Sequence, residues 1–200
     1  MNDVQKTKPC RFVLASASPR RRELIASLEI PFEVMSPSID ETPWPNENAA
    51  SFALRMAHEK AHAVAAKIAS GEPLTVLAAD TIVVLDREIL GKPANAKDAA
   101  RMLRTLSGQT HAVITGVCIL RRGADGREEN LGEAVSTRVT FRKVGEEEIH
   151  HYVASGEPMD KAGAYAIQGG AAGMVDHVDG SYSNVVGLPM ETVSRLLGHR

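Results

Sequence analysis

Two hundred residues, 44% hydrophobic and 24% charged, make one sizeable globular domain whose core needs no disulfide staples, and they exclude membrane-embedded and disordered chains. A formal net charge of -2 and the lack of a long basic tract argue against binding a nucleic-acid polymer, which needs many phosphate contacts, but leave room for a small anion held by local positive charge. The first ten residues carry no signal-peptide core, and no stretch is long enough to span a bilayer.

Residues 1–11 read as an N-terminal tail and residues 12–200 as one domain. Cys10 and Cys118 stand far apart, and Cys118 lies in the apolar run Val117 to Leu120. A buried thiol, a reducing compartment and a cytoplasmic protein are therefore expected. Phe12 to Ala15 is a short apolar strand. Ser18 suits an N-cap, Pro19 suits the first helical position, and Leu24, Ile25 and Leu28 give that helix a buried stripe. Acids normally sit at a helix start because the macrodipole favours negative charge there. Arg20, Arg21 and Arg22 reverse that preference, with only Glu23 to neutralise them. A strand, a serine-containing turn and a helix N-terminus gather backbone N–H groups round a phosphate, and arginine forks match its oxygens. The alternative is a solvated arginine-rich face.

A short strand follows from Phe32 to Met35. Pro37, Pro43 and Pro45 then deny regular structure to the link from Ser36 to Asn46, which reads as a mobile loop carrying Asp40 and Glu41. A long helix runs from about Ala49 to Ala69. Its wheel puts Phe52, Ala53, Met56, Ala63 and Val64 on one face and Arg55, His58, Glu59 and His62 opposite. Lys60 falls inside the apolar face, where it either snorkels to an edge or directs its ammonium into an interior anionic site. Leu74 to Leu85 is a nearly continuous buried strand interrupted by Asp80 and Thr81. A carboxylate there must be paired, protonated, bound to a metal or placed at the mouth of a cleft. The polar turn Asp86-Arg87-Glu88 suggests a hairpin returning through Ile89, which sets Lys92 opposite Asp80, a geometry that a structural ion pair explains equally well.

Beyond the hairpin come a helix from about Ala96 to Leu106 and strands from His111 to Leu120 and Glu133 to Phe141, joined by the polar connection Arg121 to Asn130. A helix from about Gly145 to Ala154, a Gly-rich stretch from Gly163 to Gly173 and a last helix beginning at Pro189 complete the chain. The pattern is α/β, a mixed β-sheet flanked by helices. His58 and His62 share a helix face at i, i+4 but lack a third metal ligand and read as a solvated pair. No histidine adjoins a Ser or Cys nucleophile, so none receives a catalytic role. Gln168, in the Gly-rich stretch, is a candidate to read the edge of a base, though that stretch equally fits an ordinary loop, and the polar half of the run from Gly180 to Met190 equally fits helix capping. Lys60, Lys92 and the arginines outnumber the one interior carboxylate. Phosphate groups with a divalent cation would balance them, with Asp80 and Glu41 as hard oxygen ligands or as the base that activates a water.

L-A-S-A-S-P-R-R at Leu14, A-A-D-T-I-V-V-L at Ala78, G-K-P at Gly91, H-A-V-I-T-G-V at His111, D-K-A-G-A-Y-A-I-Q-G at Asp160 and G-S-Y-S-N-V-V-G-L-P at Gly180 together resemble the Maf proteins, which are nucleoside triphosphate pyrophosphatases. The resemblance implies an ITPase-like fold with two lobes around a cleft, and a homodimer. It implies hydrolysis of a nucleoside triphosphate to the monophosphate and pyrophosphate, assisted by Mg2+ or Mn2+. It places the catalytic aspartate on Asp80, the acidic loop residue on Glu41 and the lysines on Lys60 and Lys92, with Glu41 and Asp80 toward the metal. Ser16, Arg20 and Arg21 fall on the first-motif substrate-binding positions. The wording is that of the dTTP and UTP branch, whose specificity positions fall on Arg20, Thr81 and Gln168. The other reading is a nucleotide-binding regulator of cell division or septum formation. Asp80 and Glu41 weigh against it, because they would burden a pure anion binder with repulsion.

Overall fold

Apolar runs without a helical period become the strands of one mixed sheet. The computed structural model describes residues 10–198. Its strands are β1 (Arg11–Ala15), β2 (Glu33–Val34), β3 (Leu74–Leu85), β4 (Glu88–Leu90), β5 (Thr110–Arg122), β6 (Glu128–Phe141) and β7 (Val175–Asp179). Its helices are α1 (Pro19–Ala26), α2 (Ala49–Ala65), α3 (Ala96–Leu106), α4 (Glu146–Ala154), α5 (Tyr182–Val186) and α6 (Met190–Leu197). The strand order is β2-β1-β3-β5-β6-β7, with β4 also paired to β3. β1 runs parallel to β2 and β3, and the other pairs are antiparallel. This is the α/β class and mixed sheet that the sequence predicts. Arg11, assigned by sequence to the tail, opens β1, and residues 1–9 lie outside the described residues.

β3 is the pivot of the sheet. One of its edges pairs with β5 from Leu74 to Val84. Its other edge pairs with β1 as far as Ala78 and with β4 from Val83 onward, which leaves Ala79 to Ile82 without a ladder partner on that side. The gap opens at the C-terminal end of β1, the kind of place where open α/β sheets receive ligands. Asp80 and Thr81 sit in it.

Packing sets a lobe on each side of this gap. α2 covers one face of the first half of the sheet, where Ala57, Ala61 and Val64 meet Val13, Val76 and Leu120. Ile25 of α1 and Val193 of α6 cover the other face over Leu14, Leu77 and Ile119. The second lobe gathers α3 and α4 round the far ends of β3, β5 and β6, with Leu103, Phe141, Ile149 and Tyr165 in its core. Ala63, placed on the apolar face by the wheel, is only half-buried, and Ala57 and Ala61 lie inside instead. Burying Phe52, Met56 and Val64 of α2 stabilises the fold by about 1.5–3 kcal/mol each. α2 lies this close to the sheet because Gly116 has no side chain: a Cβ there would sit 2.2 Å from Ala53 O and 2.5 Å from Leu54 N.

Several boundaries differ from the predicted ones for physical reasons. α2 ends at Ala65, not Ala69, because Arg122 reaches over from β5 to donate to Ala65 O at 3.1 Å and Ile68 O at 3.3 Å, capping the helix end from outside. The β5–β6 ladder runs out to Arg122 opposite Glu128, so the connection is only Gly123 to Arg127. Those strand tips project past the core, and polar residues on them look like loop. β7 and α5 have no counterpart in the predicted elements. β7 is a polar edge strand against β6, and α5 is a single short turn capped by Ser181, whose Oγ accepts from Asn184 N at 3.3 Å. Ser183 Oγ likewise accepts from Met190 N at 3.0 Å, so the polar half of that run is capping.

Candidate active site

The cleft at the β3 gap has a volume of about 790 Å3, within the usual span for small-molecule sites. Five cationic side chains (Arg20, Arg21, Lys60, Lys92, Lys161) line it against three carboxylates (Glu41, Asp80, Asp160). A chain of formal charge -2 thus concentrates positive charge here. Ser16, Thr81 and Gln168 also belong to the wall, so every residue that the sequence marks as a site residue comes together.

β1 delivers Ser16, and the turn after it starts α1. Ser18 caps that helix by accepting from Arg21 N at 3.4 Å, while its own N–H donates to Ser16 Oγ at 3.1 Å. Arg21 turns inward from the first helical turn. Its Nε donates to Gly187 O at 2.8 Å, Nη1 to Ala79 O at 2.8 Å and to Ser16 Oγ at 3.5 Å, and Nη2 to Thr81 Oγ1 at 3.0 Å. A fork so occupied braces β1, β3 and the α5–α6 turn together. Burial pushes the Arg21 guanidinium below its ordinary range, and Asp80 pulls it back. Thr81 is therefore tied to Arg21 and not to Arg20, whose charge is felt instead at Asp160 and Tyr152. Arg22 is exposed.

Lys60 settles the choice between snorkelling and an interior site. It is 8% exposed, and its ammonium lies 2.6 Å from Asp80 Oδ1 and 2.7 Å from Glu41 Oε1. Two carboxylates thus face one another across a single charge. Partial burial pushes the Glu41 carboxyl up, but the hydrogen bond and charge of Lys60, with Lys92 and Arg21 beyond, carry it net below the ordinary carboxylate range. The Ser36 to Asn46 loop that brings Glu41 has little regular structure, and Arg55 tethers it. Arg55 donates to both Glu47 oxygens at 2.7 Å and to Thr42 O at 3.1 Å, and its guanidinium lies 4.1 Å from the centre of the Trp44 ring.

The predicted register of Lys92 is off by one. Asp86 and Arg87 form a two-residue turn, both with positive φ (49° and 73°), so Leu85 pairs with Glu88 and Val83 with Leu90. Continued, that register would set Lys92 opposite Thr81, but β4 stops at Leu90. Asp80 pairs with Lys60 and remains on the cleft wall, leaving room for a guest. Lys161 is the residue that sequence reasoning missed. Its side chain is 10% exposed and ion-paired with Asp160. Adjacent D-K charges in a Gly-rich stretch look like solvated loop. The signal is Gly163, held at φ 65° with its N–H donating to Gly91 O at 3.0 Å, because this docks the Lys161 segment onto the one that carries Lys92.

Gln168 is exposed on the cleft wall, and its loop is held from behind. Glu157 accepts from Gly170 N at 3.1 Å and from Tyr152 Oη at 3.2 Å, and Tyr152 Oη accepts from Ala166 N at 3.1 Å. Tyr165 Oη and His111 Nε2 are hydrogen-bonded at 2.8 Å, and burial pushes His111 down to about 4. His111 thus has a structural place. His58 is not simply solvated either: it is half-buried, with Nδ1 3.3 Å from the Sγ of buried Cys118, whose thiol burial pushes up to about 12.

This constellation has relatives. Residues 11–200 match the family described as Maf-like protein. A dTTP/UTP pyrophosphatase from Geobacter metallireducens is 56% identical over 180 residues, 90% of this chain and 91% of that protein. Another from Anaeromyxobacter sp. is 52% identical over 187 residues, covering 94% and 88%. A solved HAM1 protein from Coxiella burnetii aligns with 95% of this chain and 99% of its own at 16% identity and a TM-score of 0.47, too distant a likeness to carry an inference. No helix among the described residues is long and apolar enough to cross a membrane. A family match over nearly the whole length, with relatives identical at more than half of the aligned positions, places the chain in the Maf family.

Proposed function

We propose that the protein is a nucleoside triphosphate pyrophosphatase that hydrolyses dTTP and UTP to the monophosphate and pyrophosphate, keeping nucleotide pools clean. The observation that carries this is the cleft's excess of cations round a carboxylate at the sheet gap, in a chain that is net negative. The shared name of the curated relatives supports it and favours the enzyme over a regulator of septum formation.

In this reading water attacks the α-phosphorus, the bond to the bridging oxygen breaks, and pyrophosphate leaves with that oxygen. Asp80 takes the proton of the attacking water, and Lys60, 2.6 Å from its Oδ1, orients the carboxylate. Lys92 and Arg20 stabilise the charge that grows on the phosphates, and Gln168 holds the base. Arg21 and Ser16 keep the β1–α1 turn shaped to receive the anion. Asp80 and Glu41 fit a divalent cation as hard oxygen donors, and among the described residues no group of three or more His, Cys, Asp or Glu could cage one. Two carboxylates with waters and substrate phosphates are what Mg2+ accepts. When bound there, Mg2+ or Mn2+ would neutralise phosphate charge.

Asp80→Asn is the test. Pyrophosphate release is expected to vanish while nucleotide binding by calorimetry is largely spared, and undiminished release refutes the assignment. The reading also includes a cytoplasmic homodimer, which light scattering of the purified chain checks for mass.

A further inference from the structure

Thr81 forms part of the cleft wall, yet its hydroxyl is already committed to the scaffold. A guanidinium only donates, so Arg21 Nη2 at 3.0 Å fills one lone pair of Thr81 Oγ1. A carbonyl only accepts, so Thr115 gives its own proton to Asn184 O at 3.2 Å, and the 2.9 Å contact between the two threonine hydroxyls is donated by Thr81. The competing acceptor for the Thr81 proton, Gly187 O at 3.4 Å, is backbone as well. In both arrangements no proton of this hydroxyl turns toward the cleft. Thr115 is fully buried on β5, directly opposite Thr81, and can touch no substrate itself.

A fixed polarity is needed because Gln168 cannot supply one. A glutamine amide carries donor and acceptor on one rotatable group, and a half-turn exchanges them. Exposed Gln168 therefore fits the edge of uracil or thymine and, turned over, that of cytosine. Uracil and thymine present an N3–H donor where cytosine presents a bare N3 acceptor. A hydroxyl that can only accept complements the first and opposes the second.

We propose that Thr115 is a positioning residue for base selection: it holds the Thr81 hydroxyl as a pure acceptor and so favours bases bearing N3–H over cytosine. This rests on the reading of the cleft as a nucleoside triphosphate site. The test is kcat/KM for UTP, dTTP and CTP, read as pyrophosphate release, in the wild type, Thr115→Val and Thr115→Ser, with a urea midpoint for each. Valine keeps the shape but removes the acceptor at 2.9 Å, leaving the Thr81 proton only Gly187 O at 3.4 Å, too long to hold it away from the cleft. The UTP:CTP ratio is expected to fall by about tenfold in Thr115→Val, with dTTP:UTP unchanged and serine restoring the wild-type ratio. A folded Thr115→Val with an unaltered UTP:CTP ratio overturns the proposal alone. A wild type that releases no pyrophosphate from any of the three overturns the function and this proposal with it. Should valine prevent folding, a UTP analogue with C–H in place of N3–H serves on the wild type. Its kcat/KM is expected to drop by about tenfold, and turnover equal to UTP overturns the proposal.

Discussion

Adding one methyl group at Gly116 tests how the sheet places Lys60. The new Cβ would meet Ala53 O at 2.2 Å, Ala53 C at 2.3 Å and Leu54 N at 2.5 Å, all of them backbone of α2, where real Cβ contacts essentially never fall below 3.0 Å. No flexible side chain can yield, so α2 must retreat by roughly 0.8 Å, the shortfall between 2.2 and 3.0 Å. Two turns further along the same helix, Lys60 holds Asp80 of the sheet at 2.6 Å, and a shift of that size carries this contact past the roughly 3.2 Å limit of a good hydrogen bond. Overpacking of this kind costs about 1–3 kcal/mol. Urea unfolding should show that loss as a lower midpoint at unchanged slope. Pyrophosphate release should show kcat reduced by about tenfold or more, since misplacing a site group by about 1 Å costs on the order of a hundredfold. Gly173→Ala is the control: it is exposed, a Cβ there meets nothing within 4 Å, and its stability should stay within about 0.5 kcal/mol. A Gly116→Ala protein matching the wild type in both midpoint and kcat refutes the reasoning.

Glu157→Ala deprives Gly170 N and the Tyr152 hydroxyl of their acceptor, so it should cost about 1–2 kcal/mol and raise KM severalfold by loosening the Gln168 loop. An unchanged KM would detach Glu157 from the site. His111 titrates near 4 when folded against 6.5 when free, so between those values the unfolded chain binds the extra proton. Stability should be full above the upper value and fall by about 3 kcal/mol as pH drops through the window. Urea midpoints at about pH 7.5 and about pH 5 should differ less in His111→Gln than in the wild type. With Cys118 buried and pushed up to about 12 and Cys10 exposed, a thiol reagent should modify Cys10 in the native protein and reach Cys118 only on unfolding. Fast reaction at both contradicts that burial.

What the sequence made legible was local and over-determined. At the β1–α1 junction an apolar run, Ser18 and Pro19 all point to the same strand, cap and helix, and all three are in place. β3 was legible because a twelve-residue apolar run admits little else, and Asp80 stood out in it. Which cation Asp80 meets was not legible. That depends on the rotation and height of α2 over the sheet, fixed by Gly116 and its neighbours far away in sequence, and the partner proved to be Lys60. Hairpin register is equally sensitive: assigning Glu88 to the turn instead of the ladder moves Lys92 by one place and to the other face. The inward turn of Arg21 depends on carbonyls of Ala79 and Gly187, which no spacing rule locates. The solvated tips of β5 and β6, and edge strand β7, failed for a different reason: outside the core, polarity no longer distinguishes strand from loop.

The new role of Arg21 also relocates the positive charge that faces a guest. Of the five cations lining the cleft, Arg21 is committed to carbonyl and hydroxyl oxygens, Lys60 to Asp80 and Glu41, and Lys161 to Asp160. Among the described residues, the ion pairs of this cleft reach Lys60 and Lys161 but neither Arg20 nor Lys92. Those two cations stand after β1 and after β4, the strands whose separation along β3 creates the gap where Asp80 sits. On the proposed reading, a chain of phosphates laid across the gap would meet one unspent cation on each side and the Asp80 carboxylate between them. The break in strand pairing is therefore what lets a net-negative protein gather cations round one cleft. It splits one edge of β3 between two partners, and each partner carries a cation to the rim.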